Sequence, residues 1–303
     1  MSDVNLIVNA DDLGMSRGIT DGIIVAHRYG LVTSASLMAN MPDAERALMR
    51  AKDLPRLGVG VHLNICQGRP VSPPNEIPTL VDQTGTFLSP AKIARNLLYG
   101  RVSQREIEAE FRAQIRWMKE RGLEPTHADS HHHVHLYPAA ARPFVRALEA
   151  EGVRCIRSAR CATWPKSSSW GGPHEGSVVR RLLVQGYRAT LQRTLLRRFE
   201  STDSRISFHS HDRKNSPALY ERWKAALENL PAGIFELACH PGLFERGFSE
   251  TDAIRVQREM EMAWLTDPEL RQIIDARGIR LVSYRTLTGT EGLHPVGLEA
   301  AVS

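Results

Sequence analysis

Four apolar stretches of this chain each stop at a polar cluster, and helical patterns separate them. LIVNA runs into Asp11-Asp12, GVGVHLN carries His62, the segment Thr126–Ser130 leads into Asp129 through His135, and FELAC ends at His240-Pro241-Gly242. In parallel α/β folds, and in barrels above all, the carboxyl ends of the strands converge on one face and build the active site. That pattern requires residues distant in sequence to meet on one face.

Between these stretches the periodicity alternates between strand and helix. Strands are expected over Val4–Val8, Thr33–Met38, Gly58–Leu63, Thr126–Ser130, Val153–Arg157, Ile234–Cys239 and Arg280–Tyr284. A helical pattern through Ile19, Ile23, Ile24, Ala26 and His27 closes at Gly30, a C-cap candidate. Others cover Asp43–Lys52, the stripe Ile107, Phe111, Ile115 and Met118 after the Ser103/Glu106 start signal, Ala139–Glu151, Val178–Phe199, Ala218–Leu230, Asp252–Leu265 and Pro268–Ala276. Gln67–Pro90 and Ser158–Ser177 read as irregular. About seven βα units without a linker-like break indicate one α/β domain over residues 1–303, most simply a barrel. A doubly wound open sheet is the second option; the lack of a GxGxxG or GxxxxGK(S/T) loop weighs against its nucleotide-binding versions.

Charge is unevenly spread. The chain carries a net +5, yet residues 154–214 hold 13 Lys and Arg against 4 Asp and Glu, an excess of +9 that leaves −4 elsewhere. Much of it lies in SVVRRLLVQGYRATLQRTLLRRFE, where Val178, Val179, Leu182, Leu183, Tyr187, Leu191, Leu195 and Phe199 recur at helical spacing beside Arg180, Arg181, Arg188, Arg193, Arg197 and Arg198. Such a helix packs its stripe on the barrel, or lies on an anionic membrane surface. Nucleic-acid binding fits poorly, since no recognition motif accompanies the charge. The apolar runs are too short to span a bilayer. The start MSDVNLIVNADD lacks a basic region, so no secretory signal is expected. Cys66, Cys155, Cys161 and Cys239 form no CxxC pair, and free thiols of a cytoplasmic protein are expected.

The strand-end chemistry is that of a hydrolytic metal centre. Neutral imidazoles with one carboxylate bind a borderline divalent ion and leave a position open for water. A second carboxylate accepts that water's proton, and a histidine opposite donates one to the leaving group. Asp11 and Asp12 suit such a split of roles, because neighbours along a strand point in different directions. Each piece alone has a structural reading: Asp-Asp-x-Gly is usually a turn, and a single His62 could be a satisfied core residue. The run 127–135 is harder to dismiss, holding five of the twelve histidines. In an extended segment His131, His133 and His135 would share one side and His132 the other, so not all are ligands. His209 and His211 in FHSHD are a weaker signal for the same face. His27, His174 and His294 have no supporting context.

VNADDLG, GVGVHLN, THADSHHHVH, ELACHPG and RGIRLVSYRTL, in that order from Leu6 to Leu287, resemble the YdjC-like carbohydrate deacetylase family. The resemblance implies a deformed TIM-like barrel, often a homodimer, that removes acetyl groups from N-acetylated sugars with one divalent metal ion, zinc or magnesium. It assigns Asp12, His62 and His131 as ligands, Asp11 as general base and His240 as general acid. His131 is chosen over His133 as the histidine directly after Asp129-Ser130. Asp129, His133 and Arg157 are expected around them, supporting ligands or touching substrate. Leu13 stands where the family usually has Phe, an apolar exchange. Residues from about 160 to 216 form the variable insertion. Its basic helix is similar to the hopanoid-biosynthesis branch, which implies an N-acetylglucosaminyl glycolipid substrate and contact with the inner membrane face through residues 178–199. Trp164 and Trp170 offer flat faces for a sugar ring. A phosphoester hydrolase and a non-catalytic metal- or lipid-binding protein are the alternatives.

Overall fold

The computed structural model describes residues 3–161, 178–207, 216–250 and 252–289. His174, His209, His211, His294, Trp164 and Trp170 lie outside the described residues.

β1 (Val4–Leu13) is followed by α1 (Arg17–Tyr29), β2 (Ser34–Leu37), α2 (Ala44–Lys52) and β3 (Gly58–Leu63). The second third brings α3 (Pro90–Leu98), α4 (Gln104–Glu120), β4 (Ala128–Ser130), α5 (Pro138–Ala150) and β5 (Cys155–Ile156). Then come α6 (Val178–Thr194), β6 (Glu200–Ser201), β7 (Ser204–Ser207), α7 (Ser216–Glu228), β8 (Gly233–Cys239), α8 (Arg255–Leu265), α9 (Pro268–Ala276) and β9 (Arg280–Leu281). Every named strand pair is parallel, in the order β6-β5-β4-β3-β2-β1-β8-β7, with β9 against β1. β6 pairs with β5 and β7 pairs with β8, so the short step Thr202-Asp203 links the two edges of the sheet. Arg205 N–H also bonds Arg160 O at 3.0 Å, just past β5. The result is the deformed α/β barrel expected from the strand pattern.

Four elements differ from the expectation. β6 and β7 are too short to register as periodic segments, and α3, as long as α2 and α9, starts at Pro90, the end of the stretch read as irregular. The histidine run is not extended: His131–Leu136 form a short helical turn in which His132 (φ 51°) and His133 (φ 53°) take the left-handed conformation. The alternation predicted for 131, 133 and 135 therefore does not apply. Ser103 does cap α4, its hydroxyl accepting from Glu106 N–H at 3.4 Å.

Period-two alternation sorts the strands' side chains. Leu6, Val8 and Ala10 of β1, Val59 and Val61 of β3 and Ala128 of β4 join the main core. The alternate positions, Asn9, Asp11, His62, Asp129 and Arg157, share contacts across the strands on the other side. With both faces buried, such strands read as nearly continuous apolar runs rather than as clean alternation. Among the described side chains of the basic helix α6 and the turn that follows it, burial comes late in the segment. Leu191, Leu196 and Phe199 are buried, whereas Leu183 is 69% exposed and Tyr187 37%.

Candidate active site

At the end of β1 the regular alternation breaks. The register against β2 shifts between Ala10 and Leu13, and Asp12 adopts φ 68°. Asp tolerates this left-handed conformation better than most residues, and such strain concentrates at functional sites. The irregularity allows both adjacent carboxylates to reach one cluster.

Asp12 stands beside His62 and His131, although the three come from separate strand ends. His62 Nε2 is 3.5 Å and His131 Nδ1 3.1 Å from Asp12 Oδ1. Oδ1 is buried and has no hydrogen-bond partner. The other ring nitrogens are occupied: His62 Nδ1 lies 2.7 Å from Asp129 Oδ1 and His131 Nε2 lies 3.0 Å from Gln67 Oε1. Those acceptors set the tautomers, so His62 offers the lone pair of Nε2 and His131 that of Nδ1. One orphaned carboxylate oxygen and two lone pairs facing one space fit a divalent cation.

Two further groupings of ligand-type atoms occur among the described residues. Cys66 with His131 and His132 shares a histidine with the first, but burial pushes the Cys66 thiol up to about 12, and a neutral thiol is a poor ligand. Asp11, His62 and Asp129 form the other, and a protein cation already serves it. The fully buried Arg157 donates to Asp11 through both terminal nitrogens, at 2.8 and 2.5 Å. It also contacts Asp129 at 2.6 Å and Glu236 at 2.7 Å. Glu236 in turn accepts from the Tyr284 hydroxyl at 2.7 Å.

These neighbours determine the charge states. Burial works to raise the pKa of Asp11, but the charge and hydrogen bonds of Arg157 outweigh it and hold the carboxyl below its usual range. Burial likewise opposes ionisation of Asp12, and Arg258, His131 and His62 overcome it, leaving the group well below the ordinary carboxylate range. For His62 burial favours the neutral ring, yet Asp129 prevails and lifts it to about 9. Cation binding must therefore displace a proton from His62.

His240 Nε2 lies 3.8 Å from Asp11 Oδ2, and the ring remains partly exposed. His133 is half-buried, with Arg205 2.7 Å from its Nε2. Sequence reasoning missed Asn9, Ser36 and Gln67, which are ordinary polar residues, and Arg258, on a helix with no motif. Asn9 Nδ2 donates to Asp11 at 3.0 Å and to Ser36 Oγ at 2.8 Å. Glu236 did leave a signal: a glutamate inside the buried strand FELAC has to be paired.

The profile of the YdjC-like protein family matches residues 5–276. A carbohydrate deacetylase of Geobacillus stearothermophilus is 35% identical over 92% of this chain and 96% of its own length. One from Brevibacillus brevis is 34% identical over 94% of this chain and 100% of its own. The crystal structure of an Enterococcus faecalis protein named for cellobiose-phosphate cleavage superposes with a TM-score of 0.75 at 25% identity, covering 94% of this chain and 99% of that one.

Proposed function

The chain belongs to the YdjC-like protein family, and from that membership we propose that it is a carbohydrate deacetylase that hydrolyses the N-acetyl group of an amino sugar with one divalent metal ion. The observation that carries the reading is the orphaned Oδ1 of Asp12 between His62 and His131, with Asp11 and His240 alongside. A divalent ion held by Asp12, His62 and His131 supplies polarisation of the acetamide carbonyl and a lowered pKa for water. Zinc and magnesium are the candidates.

In this reading Asp11 is the general base. Its depressed pKa keeps it ionised at any working pH, and Arg157 and Asn9 fix its orientation. Water attacks the acetamide carbonyl carbon while its proton passes to Asp11. As the C–N bond breaks, His240 gives a proton to the departing nitrogen. The products are acetate and the free amino sugar. Arg157 is sealed from substrate, so its part is to hold Asp11 and Asp129. Asp129 keeps His62 in the tautomer that presents Nε2.

The Asp11→Asn variant is expected to bind metal at the wild-type stoichiometry while acetate release falls by about 10²- to 10⁴-fold. Undiminished turnover would falsify the base assignment. A phosphoester hydrolase would favour two metals about 3.5–4 Å apart. In the second carboxylate grouping here Asp11 and Asp129 are already paired with Arg157, which speaks against that reading.

The finer substrate is a glycolipid with an N-acetylated sugar head, presented at the inner membrane face. This rests on α6, where Leu183, Val184 and Tyr187 are exposed on a helix rich in arginine. Sedimentation with anionic vesicles at low salt, weakened by added salt, is the expected result; no sedimentation removes the membrane reading and leaves soluble N-acetylated oligosaccharides. The chain is expected to act as a homodimer, which light scattering tests.

A further inference from the structure

Helix α8 follows the loop that carries His240, and two of its buried side chains end on different parts of the site. Arg258, 4% exposed, donates from Nη2 to Asp12 Oδ2 at 2.8 Å and from Nε to Asp252 Oδ2 at 2.6 Å. One turn further, Glu261, 1% exposed, accepts the backbone N–H of His240 on Oε2 at 2.5 Å. Its Oε1 is held by Gln257 Nε2 at 2.6 Å, and the His240 Nδ1 atom lies 3.9 Å from Oε2.

The loop between His240 and α8 is fastened on its other side as well. Leu243 N–H donates to Gly18 O at 3.0 Å, and Glu245 accepts Gly18 N–H at 2.7 Å. A Cβ on Gly22 would fall 2.7 Å from Gly242 Cα, so only glycine there admits the loop. The loop is thereby clamped between α1 and α8.

We propose that α8 is a positioning element for both halves of the site, with Arg258 orienting Asp12 as a one-oxygen metal ligand and Glu261 setting the place of His240. Arg258 occupies Oδ2, which leaves Oδ1 alone to face His62 and His131. Outer partners of this kind fix the ligand's rotamer, and their loss lowers metal affinity. Arg258 Nη1 has no hydrogen-bond partner although it is buried, a cost that a side chain kept for packing alone would be expected to avoid. Glu261 acts differently: it grips the main chain of His240, so the ring's approach to Asp11 is set by the helix and not by loop sampling.

The inference rests on the metal-dependent deacetylase reading, and its test separates the two. Zinc binding to the full chain is titrated calorimetrically for wild type, Arg258→Lys, Arg258→Met, Glu261→Met and Glu261→Ala. The His240 ring ¹⁵N resonances are recorded for each, and acetate release from N-acetylglucosamine oligomers is followed at saturating zinc. The expected result is a 10- to 100-fold weaker zinc affinity in Arg258→Met, with Arg258→Lys partly restoring it. Glu261→Met, which has no acceptor for the His240 N–H, is expected to keep the zinc affinity, shift the His240 resonances and lower kcat about tenfold with KM little changed. Zinc affinity equal to or tighter than wild type in a folded Arg258 variant overturns the Arg258 half; a tighter value would mean that Arg258 only offsets charge. If Arg258→Met does not fold, Arg258→Lys decides, since it keeps the charge between Asp12 and Asp252 but loses the fork. Unmoved His240 resonances in a folded Glu261→Met or Glu261→Ala overturn the other half. Normal zinc binding by a wild type that releases no acetate from any N-acetyl sugar refutes the deacetylase reading instead, while affinity and resonances still judge α8.

Discussion

His62 and His131 at the strand ends and His127 and His135 packed nearby are all buried, yet their neighbours make them different kinds of residue. His127 lies between hydroxyls, with Thr126 Oγ1 2.9 Å from Nδ1 and Ser36 Oγ 3.3 Å from Nε2, and stacks on Tyr284 at 3.7 Å. His135 meets Ser130 Oγ at 2.5 Å and stacks on Phe144. Burial pulls each down to about 3, and nearby charges only partly oppose it. His62 feels the same burial, but a carboxylate bonded to its Nδ1 takes it to about 9. Burial alone therefore does not decide whether a buried ring stays neutral; a carboxylate on its ring nitrogen reverses the outcome.

The strongest way to break this contrast is to exchange the outcomes of two substitutions. Asp12→Ala removes the anionic ligand and is expected to abolish metal binding and lower acetate release by about 10³-fold or more. His135→Phe fills a similar volume beside Phe144 and is expected to keep metal affinity and turnover within about threefold, at a stability cost of roughly 1–3 kcal/mol for the Ser130 hydroxyl, which loses its imidazole partner and keeps only the backbone N–H of residue 135. Calorimetric metal titration with an acetate assay checks both. A His135 variant that lost metal would merge the two classes.

That contrast was only partly legible in the sequence. The strand ends were readable, because apolar runs stopping at Asp11-Asp12, His62, Asp129 and His240 carry their chemistry in the order of the chain. Periodicity alone could not choose among the clustered histidines, because an extended reading of 131–135 placed 131 and 135 on one side; it was the resemblance that pointed to His131. The left-handed turn at His132 and His133 undoes that alternation and sends His131 to Asp12 and His135 to Phe144. No residue there is glycine, so nothing marked the positive φ. His127 was passed over for another reason: its partners are common hydroxyls and a tyrosine 157 positions away. Arg157 stood as the last residue of an expected strand, but its grip on Asp11, Asp129 and Glu236 depends on three strands meeting.

A middle-sized effect sharpens the structural side alone. A Cβ on Gly60 would lie 2.4 Å from His127 Cε1, with the Tyr284 ring 3.7 Å from the imidazole. The ring has little room to retreat, so Gly60→Ala is expected to cost roughly 1–3 kcal/mol in urea unfolding. Metal affinity should stay near wild type, because His62, two residues on, keeps its bond to Asp129. A tenfold loss of affinity would show that the packed layer and the metal cluster are not separable.

The smallest effect reads both sets of histidines in one titration of the metal-free protein. His127 and His135 have folded values near 3 against about 6.5 in the unfolded chain. Below about 6.5 the unfolded state takes up protons that the folded state refuses, so their contribution is complete above that value and is lost as pH falls toward 3. The slope approaches about 1.4 kcal/mol per pH unit for each residue. His62 has the opposite sign: raised to about 9, it stabilises fully below about 6.5 and loses that contribution as pH rises through 9. Urea midpoints between pH 5 and 6.5 should therefore fall with acid, with His132, held down to about 4 by burial, adding to the slope and the buried Glu110, Glu236 and Glu261, raised by burial, opposing it. His135→Phe should remove its own share, up to about 1.4 kcal/mol per pH unit. Chelated protein is expected to lose stability between pH 7 and 9 as well, and added metal to flatten that limb, since the bound His62 is already neutral. An acid slope unchanged in His135→Phe would mean that its ring is protonated in the fold, and the distinction between the two sets would then rest on His127 alone.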